Sequence, residues 1–317
     1  MRTKRNAPCP TYKPQSISDD TAKVLESLVD NLPAFGKRIL TKFIIATRDN
    51  NGTLFNLSRH LYTRILVPMK ATGGKTPVAP SPFDKNADVE TNKIAPGMVQ
   101  SSSRNDQKSL KDRCLERDNY RCVVTGFYDP LAEGKVSKEI IGDRVLHTEL
   151  AHIIPFYLGK YKPRDQETDI TRSWATLHIL FPEIEDANFG PDNINDPTNA
   201  MSLVATLHTE FGKFNFALEP TDKENTYVIR TYPDFQLGLI RDLPLPDEKN
   251  ERLVRFKQHS DCPLPNPDLL KVHAAIAKIL HASGKAEDIE RILRDREEIR
   301  CLAPDGSTDV ESLLLVW

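Results

Sequence analysis

At 317 residues, with 39% hydrophobic and 28% charged residues, the chain is long enough for two domains and has the balance of a folded protein. Its formal net charge of −2 conceals an asymmetry: residues 1–115 hold 19 Lys and Arg against 10 Asp and Glu, while residues 116–317 hold 24 against 35. No apolar run approaches the roughly 20 residues needed to span a bilayer, and the opening MRTKRNAPCP lacks the apolar core of a secretion signal, so an intracellular protein, nuclear or cytoplasmic, is expected.

Residues 1–17 carry three prolines and read as a disordered lead-in. Behind Ser18-Asp19-Asp20, Val24, Leu25, Leu28 and Val29 recur at helical spacing. Lys37 to Ile45 reads as a second amphipathic helix, and Leu54 to Leu66 as a third after the Asn50-Asn51-Gly52 turn. This predicts a helical region over 1–67, suited to packing or to contact with a protein partner, because it gathers no chemical residues. Residues 68–106 hold five prolines, Gly73-Gly74 and a serine run without apolar periodicity, and read as a flexible linker.

From Lys108 the pattern predicts a helix carrying Leu110, Cys114 and Leu115. A strand-like Cys122-Val123-Val124 follows, then a polar loop over 129–144, and a second strand from Val145 to Phe156 would close a hairpin with the first. Trp174 to Phe181 reads as an inserted helix bearing His178, and Asp186 to Pro197 as a polar loop. A helix is expected to open at Asn199. Residues 214–218 and 227–230 alternate as strands, and Leu269 to His281 and Ala286 to Ile299 read as two amphipathic helices. The tail, Leu313 to Trp317, is expected to dock on the body. His60, His178, His273 and His281 lack acidic or cysteine company at metal spacing and read as structural. The five cysteines contain no C-x-x-C pair, so reduced, mostly buried thiols are expected and a four-cysteine zinc knuckle is excluded.

Three segments carry the candidate chemistry: NYRCVVTGFYDP from Asn119, HTELAHIIPFYLG from His147, and NAMSLVATLHTEF from Asn199. The order His152, Asn199, His208 resembles the HNH endonuclease superfamily. In particular it resembles fungal-type HNH-nuclease-domain proteins, whose segments read R-C-V-x-T-G, A-H-I-x-P-F and N-x-x-x-L-x-x-x-x-H-x-x-F. The resemblance implies an α+β fold with a ββα-metal core, of His-Me finger type, over 107–235, with helical additions at 1–67 and 236–317. It assigns His152 the role of general base, a task suited to imidazole because its ordinary pKa of about 6.5 leaves it able to accept a proton near neutrality.

Asn199 is expected at the helix N-terminus, capping it and tying down the loop that bears His152. His208 would bind a metal ion or a phosphate. One divalent ion (Mg, Mn, Ni or Zn) and a nucleic-acid partner, DNA in preference to RNA, are implied. Two positions depart from the pattern of metal-coordinating relatives: Ala151 stands before the base, and Gly212 stands where an aspartate is common. Glu149 and Glu210 are nearby carboxylates at other offsets. Three readings follow: a metal-dependent endonuclease, a degenerate domain that binds nucleic acid or protein without cleavage, and a purely architectural hairpin and helix in an interaction protein.

Overall fold

The computed structural model describes residues 12–70, 104–159 and 166–298, and within them helices and two small antiparallel sheets make a mixed α+β fold. The elements are α1 (Thr21–Asn31), α2 (Ala34–Thr47), α3 (Asn51–Leu61) continued through a π-helical turn (Tyr62–Leu66) into α4 (Val67–Lys70), and α5 (Arg104–Arg117). Next come α6 (Lys138–Ile141), β1 (Thr148–His152), α7 (Gln166–Leu180) and α8 (Pro182–Asp186). Then follow β2 (Ala200–Val204), α9 (Ala205–Gly212), β3 (Phe216–Pro220), β4 (Thr226–Thr231), β5 (Leu253–Arg255), α10 (Pro267–Ser283) and α11 (Lys285–Glu298). No described helix is long and apolar enough to cross a membrane.

The chain divides into two compact units, the first from residues 1–99, 161–190 and 278–317, the second from 100–160 and 191–277. In the first, the buried Val24, Leu25, Leu28 and Val29 form one stripe of α1, which packs on α2 and α3. The Asn50 side chain caps α3 by accepting from the Thr53 amide at 3.0 Å. Helix α2 and the π-helical turn pack against α7, so closely that a Cβ on Gly36 would overlap the Leu180 carbonyl oxygen. Residues 12–17 of the expected lead-in lie among the described residues. Tyr12 is buried, and its hydroxyl donates to Asp19 at 2.6 Å.

In the second unit, β1 pairs antiparallel with β2, Thr148 opposite Val204 and His152 opposite Ala200. Strand β2 runs directly into α9, which packs on both strands. On the hairpin, Leu110 and Cys114 of α5 cluster with Ala200, and Leu150 packs against them. Strands β3, β4 and β5 form a separate meander.

This pairing differs from the expected hairpin. Cys122-Val123-Val124 is not a strand: residues 123–125 form a turn, with Val123 N–H donating to the Ser202 carbonyl at 3.0 Å, and only a single bridge joins Arg121 to Tyr128. The true partner of β1 lies beyond the insertion, in residues read from sequence as the first turn of a helix. Part of the expected linker is also helical, since α4 extends to Lys70 and α5 begins at Arg104; residues 71–103 between them lie outside the described residues, as do the tail and the first eleven positions. Of the cysteines, Cys114, Cys122 and Cys262 are free and buried.

Candidate active site

The start of β1 is pinned by Asp129, whose Oδ2 accepts from the Thr148 amide at 2.7 Å and the Thr148 hydroxyl at 2.8 Å. Beside β2, the buried Arg117 guanidinium holds Asp118 at 2.7 Å and donates to the carbonyls of Pro197, Ala200 and Pro263, each at 2.9 Å. Asp118 Oδ2 in turn accepts from the Ser202 amide at 2.9 Å. The two charges neutralise each other and spend their remaining hydrogen bonds on backbone groups, those of Ala200 and Ser202 in β2 among them, as a buried charge requires. Arg117 and Asp118 carried no signal in the sequence, where they read as the charged end of a helix.

His152 closes β1. One hydrogen bond beyond the named strand, from Ile153 N–H to the Asn199 carbonyl at 2.8 Å, continues the ladder, and the chain then turns away at Pro155. The His152 ring lies against Phe156, with centroids 5.4 Å apart. Its Nε2 is 3.1 Å from Asn195 Oδ1. An amide oxygen only accepts, so Nε2 carries the hydrogen and Nδ1 keeps the lone pair. Burial pushes the imidazole down to about 4, against the Asn195 hydrogen bond, which favours the charged form, and with the charge of His208 adding to the fall. At neutral pH the ring is neutral and able to accept a proton.

Asn199 does not open a helix. It ends a short 3-10 turn, Pro197–Asn199, immediately before β2, and α9 begins at Ala205 without a side-chain cap. Its own side chain reaches the loop that follows His152. Fully buried, Asn199 accepts from Ile154 N–H at 2.8 Å and donates through Nδ2 to the carbonyls of Ile154 and Ile194 at 3.0 and 2.9 Å. It clamps that loop to the loop carrying Asn195. The ring itself is held by Asn195, four residues earlier, in a stretch that reads from sequence only as a polar loop. A close approach also joins these loops, since a Cβ on Gly159 would overlap the Ile194 side chain.

His208 is on α9, with Nδ1 2.5 Å from Glu149 Oε2 on β1, both side chains open to solvent. A carboxylate only accepts, so Nδ1 carries the hydrogen, and in the neutral ring Nε2 is the nitrogen that keeps a lone pair. Glu210, the other candidate carboxylate, faces inward. Its Oε2 accepts from Asn215 Nδ2 at 3.2 Å and Gln236 N–H at 3.1 Å, which gives it a structural task. Gly212, the last residue of α9, has open space where a side chain would project. His60 and His273 are buried, the former 3.1 Å from the Thr176 hydroxyl, the latter stacked between Phe211 and Phe214 with centroids at 3.8 and 4.3 Å.

The donor set fits a divalent ion in part. His208 offers Nε2 while its other nitrogen is fixed by a carboxylate, the arrangement that orients metal-binding histidines, but Ala151 and Gly212 add no donor atom.

No curated protein and no solved structure matches the chain. A family model described as HNH endonuclease matches residues 122–219, the segment that contains His152, Asn195, Asn199 and His208, and this match supports the HNH superfamily for that segment, with a nuclease or nucleic-acid-binding role.

Proposed function

We propose that this segment is a metal-dependent endonuclease of the fungal-type HNH kind, hydrolysing phosphodiester bonds in nucleic acid, DNA in preference to RNA. The observation that carries the reading is the environment of His152: a neutral imidazole with its Nε2 proton committed to Asn195, its Nδ1 lone pair available, and His208 near enough for its charge to act on the same ring. In this reading Nδ1 takes a proton from the attacking water, and Asn195 holds the tautomer. Asn199 fixes the loop on which the base depends.

Hydrolysis also requires charge neutralisation at the phosphate. His208 Nε2, oriented by Glu149, would hold a divalent cation, which supplies that neutralisation and stabilises the departing oxygen when bound. With a single clear nitrogen donor, the ion would be held largely by oxygen atoms from substrate and water. Because the one donor the chain itself clearly supplies is an imidazole, Ni²⁺ or Zn²⁺ suits the site better than the oxygen-preferring Mg²⁺ or Mn²⁺.

The missing donors at Ala151 and Gly212 favour a second reading, a domain that binds nucleic acid without cutting it. A nicking assay on supercoiled plasmid with Mg²⁺, Mn²⁺, Ni²⁺ and Zn²⁺ in turn separates the two. Nicking by the wild type, reduced about 10²–10⁴-fold in His152→Ala, supports the nuclease. Binding without turnover under every ion leaves the second reading.

A further inference from the structure

The second unit contains a cleft of about 280 Å³ formed by the turn at residues 121–126 and the end of β5, and its lining includes none of His152, Asn195, Asn199, His208 and Glu149. Three cations line it, Arg121, Arg255 and Lys257, over a floor that includes the buried Phe256. Among the described residues, no ion pair joins any of the three to a carboxylate. The one acid in the lining, Asp118, is committed to Arg117 and the Ser202 amide.

This runs against the local trend. Residues 116–317 are rich in acids, and on the neighbouring strand Arg230 is paired with both Glu219 and Glu251, at 3.1 and 2.9 Å. His259 registers the field: burial lowers its pKa, and the charges of Arg121 and Lys257 lower it further, with Asp118 opposing. Three uncompensated positive charges around one concavity repel one another, and an anion seated among them removes that repulsion.

We infer that this cleft is a phosphate-backbone subsite, in which Arg121, Arg255 and Lys257 hold a phosphodiester of the nucleic-acid strand at a distance from His152. The identity of the ligand rests on the nuclease reading; the anion preference rests on the cleft alone. The turn's amides at Val123, Thr125 and Gly126 are already used, bonding Ser202, Cys122 Sγ and the Cys122 carbonyl. The subsite therefore recognises charge and carries no sequence information. Its wall is bonded to β2 through Val123 and Asp118, so a strand held there is fixed in register with the hairpin that carries His152.

The test uses the full chain and compares wild type, Arg255→Ala/Lys257→Ala, Arg230→Ala and His152→Ala. Binding of labelled DNA is measured as a function of salt, alongside plasmid nicking. Arg255 and Lys257 are exposed, so their removal spares the fold. The double variant should bind DNA more weakly, with the salt slope reduced by about 1 for each cation removed. Arg230→Ala, already neutralised by its partners, and His152→Ala should keep the wild-type slope.

Equal slopes in wild type and the double variant, or an equal loss in Arg230→Ala, would overturn the subsite. So would calorimetry in which inorganic phosphate saturates the cleft while DNA binding ignores the double substitution; the ligand would then be a small phosphate compound. A reduced slope without nicking by any protein would retain the subsite and remove the nuclease, whereas nicking with equal slopes would do the reverse.

Discussion

Asn195 Oδ1 and His152 Nε2 stand 3.1 Å apart, joining the end of β1 to a loop 43 residues further along the sequence. That bond selects which nitrogen of His152 is bare. Asn195→Asp keeps the acceptor and adds a negative charge beside the ring, so it should raise the His152 midpoint from about 4 by about 1–3 pH units. NMR titration of the ring reads this directly, and the acid limb of any nicking profile should move the same way. An unmoved midpoint would separate Asn195 from the base.

Asn199 should behave as a positioning residue. In Asn199→Ala, buried groups at Ile154 and Ile194 lose their partners, at about 1–3 kcal/mol for each left unsatisfied. Denaturant melts should show the loss, and the His152 resonance should broaden or shift. Wild-type stability with reduced nicking would instead place the Asn199 amide at the reacting atoms.

Gly212 tests the metal. A Cβ at this position would have no neighbour within 4 Å, so Gly212→Asp adds a carboxylate without a clash. It should tighten Mn²⁺ and Mg²⁺ binding at least several-fold by calorimetry and increase nicking with those ions. Glycine sits at the last residue of α9 rather than inside it, and a negative charge at a helix C-terminus is unfavourable by about 0.3–1 kcal/mol. Stability should therefore change little, in contrast to the gain expected for an interior glycine. Equal metal affinities in both proteins would remove the position from the metal site.

Acid should loosen the protein. Burial lowers His60 to about 4, with the charges of Arg64 and Arg172 adding to the effect, and lowers His273 to about 3 against its bond to the Phe211 carbonyl. Each ring takes up a proton near pH 6.5 when unfolded and resists it when folded. The stability they contribute is complete above pH 6.5 and falls as pH drops from 6.5 towards 4 and 3, by an amount on the order of a few kcal/mol per ring. Thermal melts at pH 7, 5.5 and 4 measure it. His273→Leu should melt lower at pH 7 but lose less on acidification; a slope as steep as wild type would show that His273 does not carry the effect.

Arg117→Met should cost about 3–5 kcal/mol, because it leaves Asp118 as a buried charge and three carbonyls unpaired. Asp118 then loses its hold on Ser202, so β2 should lose amide-exchange protection first. A variant within about 1 kcal/mol of wild type would mean that water replaces the guanidinium.

The sequence by itself determined the elements whose evidence is local. The apolar stripe of α1 and the long runs of α10 and α11 declare themselves at helical spacing, and the segments around His152, Asn199 and His208 carried the resemblance that the family match over residues 122–219 supports. It did not determine which strands pair. Residues 200–204 are buried on both faces, so they lack the alternation that distinguishes a strand, and their apolar run was as good a helix as a strand. The partner of β1 was chosen by contacts across the whole insertion: Arg117 on the Ala200 carbonyl, Asp118 on Ser202, and Asn199 between two loops. The same closure brings Asn195 to His152 and Glu149 to His208. A loop asparagine and a strand glutamate have no periodicity to reveal them; they acquire roles only when long-range hydrogen bonds between buried polar groups fix one loop against another, and that selection belongs to the tertiary structure.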